Sequence, residues 1–229
     1  MLIGGLQKFS LINYPKKAAA VIFTQGCSFL CHYCHNPELV IKDEFNTPLN
    51  EEDIFSFLEK RQNQLDAVVI SGGEPTLQNN LIDFIKKIKK LNFLVKLDTN
   101  GINPNVIKNL LDLKLLDYIA MDLKAPLEKY PKVTNKDFSS EGIEESIKII
   151  ISSNIDYEFR STLVKNLHEK EDIEKMALSI KNAKLYILQK FVSKVTLNPT
   201  YSKKKAFSDE DMLDMKKSAL THVKKCFIR

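Results

Sequence analysis

The stretch Ala18-Ala19-Ala20-Val21-Ile22-Phe23-Thr24-Gln25-Gly26-Cys27-Ser28-Phe29-Leu30-Cys31-His32-Tyr33-Cys34 carries the longest unbroken apolar run of the chain, Ala18 to Phe23, into a loop with three thiols. The run is short and rich in strand-forming residues, so it reads as a β-strand. Similar runs recur at Ala18–Thr24, Ala67–Ser71, Leu94–Asp98, Tyr118–Asp122, Asp156–Leu163 and Leu185–Lys190. Helical periods separate them. One spans about Glu51 to Arg61 behind a capping Asn50, with Ile54, Phe57 and Leu58 on one face. Others follow at Leu81, Phe84, Ile85 and Ile88; at Val106, Ile107, Leu110 and Leu111, with Asn103 as cap and Pro104 in the first turn; at Ile143, Ile147 and Ile150; and at Ile173, Met176, Ala177 and Ile180. Ser208 before Asp209, Glu210 and Asp211 marks a last helix. Strict alternation implies right-handed crossovers and a parallel sheet. Six units suit a single-domain α/β fold, a partial (βα)6 TIM-type barrel of parallel strands, with an N-terminal segment at 1–17, a core at 18–191 and a C-terminal helical extension at 192–229.

Parallel strands covered on both faces should be almost wholly apolar. Several of these are not. Lys96 and Asp98 share one face of their strand, Ala120, Asp122 and Lys124 one face of the next, and Asp156, Glu158, Arg160 and Thr162 one face of the fifth. With period two, Val95, Leu97, Ile119, Met121, Tyr157 and Phe159 would meet the helices, and the polar set would face the barrel interior. A polar lumen implies contents, and Asp98 and Asp122 lie at strand C-terminal ends, where barrel active sites are built. Charge balance between Glu158 and Arg160 is the plainer alternative.

The chain has 229 residues, 44% hydrophobic and 28% charged, which excludes disorder and fibrous repeats. There is no signal-peptide pattern and no apolar run of membrane-spanning length, so the expectation is a cytoplasmic protein. A net charge of +5 is spread over helix faces, with Lys203, Lys204 and Lys205 the one consecutive run, and argues against nucleic acid as partner. Three of the 4 cysteines fall within eight residues and cannot pair off, so a secreted disulfide framework is excluded. Cys226 stands alone near or beyond the last helix and reads as a buried thiol. His168 and His222 read as surface residues.

Cys-x3-Cys-x2-Cys is an uncommon zinc spacing, although His32 or His35 could complete four ligands. Thiolates also hold iron-sulfur clusters, and three of them on a four-iron cluster leave one iron open. After the second strand, Ser71-Gly72-Gly73-Glu74-Pro75-Thr76 offers backbone that a ligand can approach and a carboxylate that can accept from an ammonium. The triplet, with an aromatic before its third cysteine, followed by GGEP, resembles the radical S-adenosylmethionine (SAM) superfamily. Ser10-Leu11-Ile12-Asn13-Tyr14-Pro15, Phe23-Thr24-Gln25-Gly26-Cys27 and Cys34-His35-Asn36-Pro37-Glu38-Leu39 are similar to the activating proteins of anaerobic ribonucleoside-triphosphate reductases. Asp98-Thr99-Asn100-Gly101 and Met121-Asp122-Leu123-Lys124 also resemble pyruvate formate-lyase activating enzymes. Asn13 departs from the usual Asp of the group and Lys16 from the usual Gly.

The resemblance implies that Cys27, Cys31 and Cys34 ligate a 4Fe-4S cluster whose fourth iron is chelated by SAM. Reductive cleavage would then give methionine and a 5'-deoxyadenosyl radical that takes hydrogen from a glycine of a partner, a glycyl-radical enzyme, most simply anaerobic ribonucleotide reductase. Flavodoxin or ferredoxin would supply the electron. By the same resemblance Gly72, Gly73 and Glu74 hold the SAM amino group and the backbone at Tyr33 lies near adenine. Asp98, Thr99 and Asp122 contact SAM or a monovalent cation beside it, with Lys124 close by. Arg160 meets the SAM carboxylate, Gln189 serves ribose or adenine, and His35 packs under the cluster loop. The alternatives are a pyruvate formate-lyase-type activating enzyme, radical SAM chemistry on another peptide or small molecule, and a zinc-bound RNA-binding module. The last accounts for neither GGEP nor a polar lumen.

Overall fold

The computed structural model describes residues 1–137 and 139–229. Eight strands form one sheet in chain order: β1 (Ile3–Ser10), β2 (Ala19–Thr24), β3 (Ala67–Gly72), β4 (Leu94–Thr99), β5 (Tyr118–Asp122), β6 (Asp156–Leu163), β7 (Tyr186–Lys190) and β8 (Cys226–Ile228). From β2 onward every neighbouring pair is parallel, as the alternation of strand and helix requires. Among the described residues β1 and β8 each pair on one side, so the barrel stays open between them.

Two strands were not foreseen. β1, inside the expected N-terminal segment, pairs antiparallel with β2. β8 follows the last helix in what was read as a helical extension, and joins β7 with Tyr186 opposite Cys226. Cys226 is buried, as expected, and burial pushes its thiol up to about 11. Between β1 and β2, Lys16 holds φ +60°, the left-handed region, which accounts for the glycine usual at that position.

The helices are α1 (Glu51–Lys60), α2 (Leu81–Lys90), α3 (Pro104–Asp112), α4 (Tyr130–Thr134), α5 (Glu141–Ser152), α6 (Lys170–Ser179) and α7 (Asp209–Leu220). Asn50 caps α1 by accepting from Glu52 N, and Ser208 opens α7 in a capping box with Asp211. Asn103 precedes Pro104 as expected, but its side chain donates to Thr76 Oγ1 at 3.0 Å rather than capping α3. No helix among the described residues is long and apolar enough to cross a membrane.

Strand alternation divides the core as the sequence suggested. Val95, Leu97, Ile119, Met121, Tyr157 and Phe159 are buried in one cluster with the helix faces, including Leu58, Phe84, Ile107 and Ile147. Each such side chain contributes about 1.5–3 kcal/mol of burial energy. A second, smaller cluster of Tyr14, Ala19, Val21, Ala67, Val69 and Tyr118 lies on the other face of the sheet. The polar residues of β4, β5 and β6 share that inner face. The register places Asp98, Ala120 and Glu158 in one row and Asp122 beside Arg160 in the next, so small Ala120 leaves room between charged neighbours.

Candidate active site

The loop from Gly26 to Cys34 leaves the C-terminal end of β2, and its path is fixed from three sides. Leu30 N donates to the Thr134 carbonyl of α4 at 2.8 Å, and Phe29 packs edge-on against Tyr130. Gly26 N donates to the Leu39 carbonyl at 2.8 Å. From the far end of the chain, Leu197 N donates to the Cys34 carbonyl and Asn198 N to the His32 carbonyl, at 2.8 and 2.9 Å. This strap also engages both histidines of the loop. His32 stacks on Tyr201, while His35 stacks on Phe191 and its Nε2 meets the Val192 carbonyl at 2.8 Å.

The three thiols line a cavity of about 200 Å³ together with Tyr33, Ser71, Gly72, Gly73, Glu74, Asp98, Thr99, Asp122, Lys124 and Arg160. All four cysteines of the chain are free. Burial pushes the Cys27 thiol up to about 11 and Cys31 to about 12, and raises Cys34 as well. Without iron they are protonated, so a metal that binds here displaces protons. Among the described residues no three His, Cys, Asp or Glu side chains converge as a single metal ion requires. Three soft thiols lining one cavity are the donor set that an iron-sulfur cluster takes. The Tyr33 hydroxyl, buried beside them, has no hydrogen-bond partner among the described residues.

Gly72 and Gly73 are required where they stand. Gly72 has φ +118°, and a Cβ on it would lie 2.2 Å from Thr24 N. A Cβ on Gly73 would lie 2.1 Å from the Gly26 carbonyl oxygen, on the backbone that leads into Cys27. Glu74 follows, fully buried, and its carboxylate accepts from Thr76 N (3.1 Å), Thr76 Oγ1 (2.5 Å), Thr99 Oγ1 (2.7 Å) and Asn100 N (2.6 Å). Burial nonetheless raises its pKa, against the pull of those donors. Glu74 thus pins the loop after β3 to the loop after β4. Asn100, which the sequence reading passed over within Asp98-Thr99-Asn100-Gly101, extends the tie by donating to Ser28 Oγ at 3.2 Å.

The charged residues form one array. Asp98 Oδ1 accepts from Lys96 Nζ at 2.5 Å and Asp98 Oδ2 from Arg160 Nη1 at 3.4 Å; Asp122 Oδ1 accepts from Arg160 Nε at 2.8 Å and Asp122 Oδ2 from Lys124 Nζ at 3.1 Å. Burial alone would push the Asp122 carboxyl up, but Arg160 and Lys124 outweigh it and hold the value at about 2. Asp98 is lowered in the same way by Arg160 and Lys96. Glu158 makes no hydrogen bond to this array among the described residues, although its charge acts on Arg160 and Lys96: it accepts two hydrogen bonds from Arg229, each 3.1 Å, and one from Tyr118. Arg160 therefore does more than balance Glu158.

Gln189 is absent from the cavity lining; Thr162, one strand closer and bonded to Gln189 Oε1 at 3.4 Å, stands there instead. His168 departs from the expectation. It is 2% exposed, not a surface residue, because the turn after β6 folds back on itself. Its Nδ1 accepts from Val164 N, so the proton sits on Nε2 and is donated to the Lys124 carbonyl at 2.8 Å. His222 is only partly exposed.

Comparison with known proteins agrees with this geometry. The model of the radical SAM superfamily matches residues 21–180. A Methanocaldococcus jannaschii protein with the provisional name glycyl-radical enzyme activating enzyme is 36% identical over the whole of this chain and 95% of its own length. The pyruvate formate-lyase-activating enzyme of Clostridium pasteurianum is 29% identical over 79% of this chain and 76% of its own. Streptococcus suis SuiB, solved with S-adenosylmethionine bound, superposes with a TM-score of 0.68 at 16% identity, over 91% of this chain and 49% of that one, a likeness of fold. This chain spans about half of the SuiB structure. By its match over residues 21–180 and its full-length identity to a curated relative, the chain belongs to the radical SAM superfamily and, within it, to the glycyl-radical enzyme activating enzymes.

Proposed function

We propose that this enzyme generates a glycyl radical on an anaerobic ribonucleoside-triphosphate reductase. One observation carries the radical chemistry: a single cavity gathers three free thiols, two sterically required glycines and a charged array at the C-terminal ends of β2 to β6; the choice of the reductase rests on the likeness of the segments 10–15, 23–27 and 34–39 to its activating proteins. When bound, the 4Fe-4S cluster and SAM of this superfamily supply one-electron cleavage of the sulfonium and a 5'-deoxyadenosyl radical that takes hydrogen from a glycine Cα.

The chain's own residues bind and orient. Cys27, Cys31 and Cys34 hold three irons. Gly72 and Gly73 let backbone reach the SAM amino group, with Glu74 fixing that backbone from behind. Arg160 takes the SAM carboxylate: Asp98 and Asp122 engage its Nη1 and Nε, which among the described residues leaves Nη2 for a ligand. Lys96, Arg160 and Lys124 against Asp98 and Asp122 carry one net positive charge, which suits an anionic group. Thr99 and the backbone at Tyr33 border the adenosyl side, with Thr162 and Gln189 at the β6–β7 edge. The opening between β1 and β8 admits a glycine-bearing loop of the partner, and a small reductant such as flavodoxin or ferredoxin supplies the electron.

A pyruvate formate-lyase is the second candidate partner, favoured by the 29% identity to the Clostridium pasteurianum activating enzyme. Anaerobic incubation of reconstituted enzyme, SAM and reductant with each partner in turn separates the two by EPR. A glycyl radical on the reductase alone supports the first reading; a radical on the formate-lyase alone replaces it.

A further inference from the structure

Asp98 and Asp122 are the carboxylates that a monovalent cation beside SAM would use. All four of their oxygens already face a side-chain cation: Lys96 and Arg160 on Asp98, Arg160 and Lys124 on Asp122. An alkali ion placed there would sit within a few ångströms of an ammonium and a guanidinium, and like charge repels it. The array as built does not fit the ion.

Lys96 is the unexpected member. It is 1% exposed, on the inner face of β4, and lysine is almost never fully buried without a partner. Its ammonium stands 5.8 Å from the centre of the Tyr118 ring, below the cavity rather than on its wall. Glu158, the other acid of that layer, is satisfied by Arg229 and Tyr118, so the charge of Lys96 goes to Asp98. The two residues lie two apart on one strand face, which fixes their pairing without help from any loop.

We infer that Lys96 is a built-in counter-cation for Asp98, standing in for a diffusible monovalent ion, so that this enzyme binds SAM without one. The role is positional. Lys96 neutralises Asp98 from beneath, and Arg160, held between Asp98 and Asp122, keeps charge to offer a ligand carboxylate. The inference rests on the cavity being the SAM site.

Equilibrium binding of SAM to anaerobically reconstituted protein tests it, at equal ionic strength with potassium, sodium or tetramethylammonium as the sole monovalent cation. The wild-type Kd should agree within twofold across the three buffers. Lys96→Met should bind at least tenfold more weakly in tetramethylammonium and recover most of that loss in potassium or sodium. A wild-type Kd that tightens fivefold or more in either alkali cation overturns the inference, and does so even if Lys96→Met fails to fold. So does a Lys96→Met protein that binds like wild type in tetramethylammonium, or one whose loss neither alkali cation repairs. If wild type binds no SAM in any buffer, the assignment of the cavity falls first and the inference with it.

Discussion

Replacing Arg160 with Met removes the one cation shared by both carboxylates of the array while keeping most of the side-chain volume. The cost follows from the structure. Holding Asp122 at about 2 rather than at its ordinary 3.8 is worth about 2.5 kcal/mol of stability at neutral pH. Arg160 heads the favourable causes of that shift, and it lowers Asp98 together with Lys96, which acts there through both charge and a hydrogen bond. Stripping one partner from a buried ion pair costs about 3–5 kcal/mol, but Asp122 is 30% exposed and Asp98 keeps Lys96, so about 2–3 kcal/mol is the expectation here. In a chain of this size that lowers Tm by about 5–10 °C. The sign with pH is set by the depressed carboxyls. Their contribution is complete above their unfolded values and is lost as pH falls through their folded ones, so the wild type loses on acidification what the variant already lacks and the stability gap between them should narrow below about pH 4. Urea unfolding of the anaerobic protein at pH 7 and about pH 3 measures both effects. SAM binding should weaken about 10–100-fold with loss of a charged hydrogen bond. A stability loss below about 0.5 kcal/mol, or an unchanged Kd for SAM, would refute the reasoning.

Gly73→Ala drives a Cβ onto the Gly26 carbonyl; iron and sulfide analysis after reconstitution should find at most half the wild-type cluster content, with about 1–3 kcal/mol of overpacking cost in unfolding experiments. His168 has its pKa lowered by burial, against the raising effect of the Lys124 carbonyl, so the unfolded chain takes up a proton that the folded one refuses. Stability should therefore fall as pH drops below about 6.5, and His168→Gln should flatten Tm between pH 7.5 and 5.5; an unaltered slope would place the effect elsewhere. Lys16→Gly relieves a left-handed lysine and should raise stability by up to about 1 kcal/mol, offset in part by the entropy of glycine, with no change in SAM binding.

Much of the barrel was legible because its signals are local. Val95 and Leu97 against Lys96 and Asp98 show, in four consecutive residues, which side of β4 meets helices and which meets the cavity. Asn50 and Ser208 announce α1 and α7 by capping chemistry that involves residues two or three positions away. β1 was illegible since Gly4 and Gly5 weaken its strand signal and its existence depends on pairing with β2, many residues on. β8 is three residues long, too short for any period to register, and depends on β7 for its partner. The same division holds in the site. Cysteine spacing and GGEP identified the cavity, whereas the four bonds accepted by Glu74, the burial of His168 and the strap from Phe191 to Tyr201 over the cluster loop arise only when distant segments meet. Lys96 was visible as a polar residue facing inward; that it pairs with Asp98 and leaves no place for an ion required the distances.

The most direct test of the account is reductive cleavage of SAM by the reconstituted protein under dithionite, comparing wild type with Cys31→Ala. Wild type should release methionine and 5'-deoxyadenosine in equal amounts, and Cys31→Ala should release neither above background. Cleavage by the variant at the wild-type rate would contradict the assignment of Cys27, Cys31 and Cys34 as the ligands of the reacting cluster.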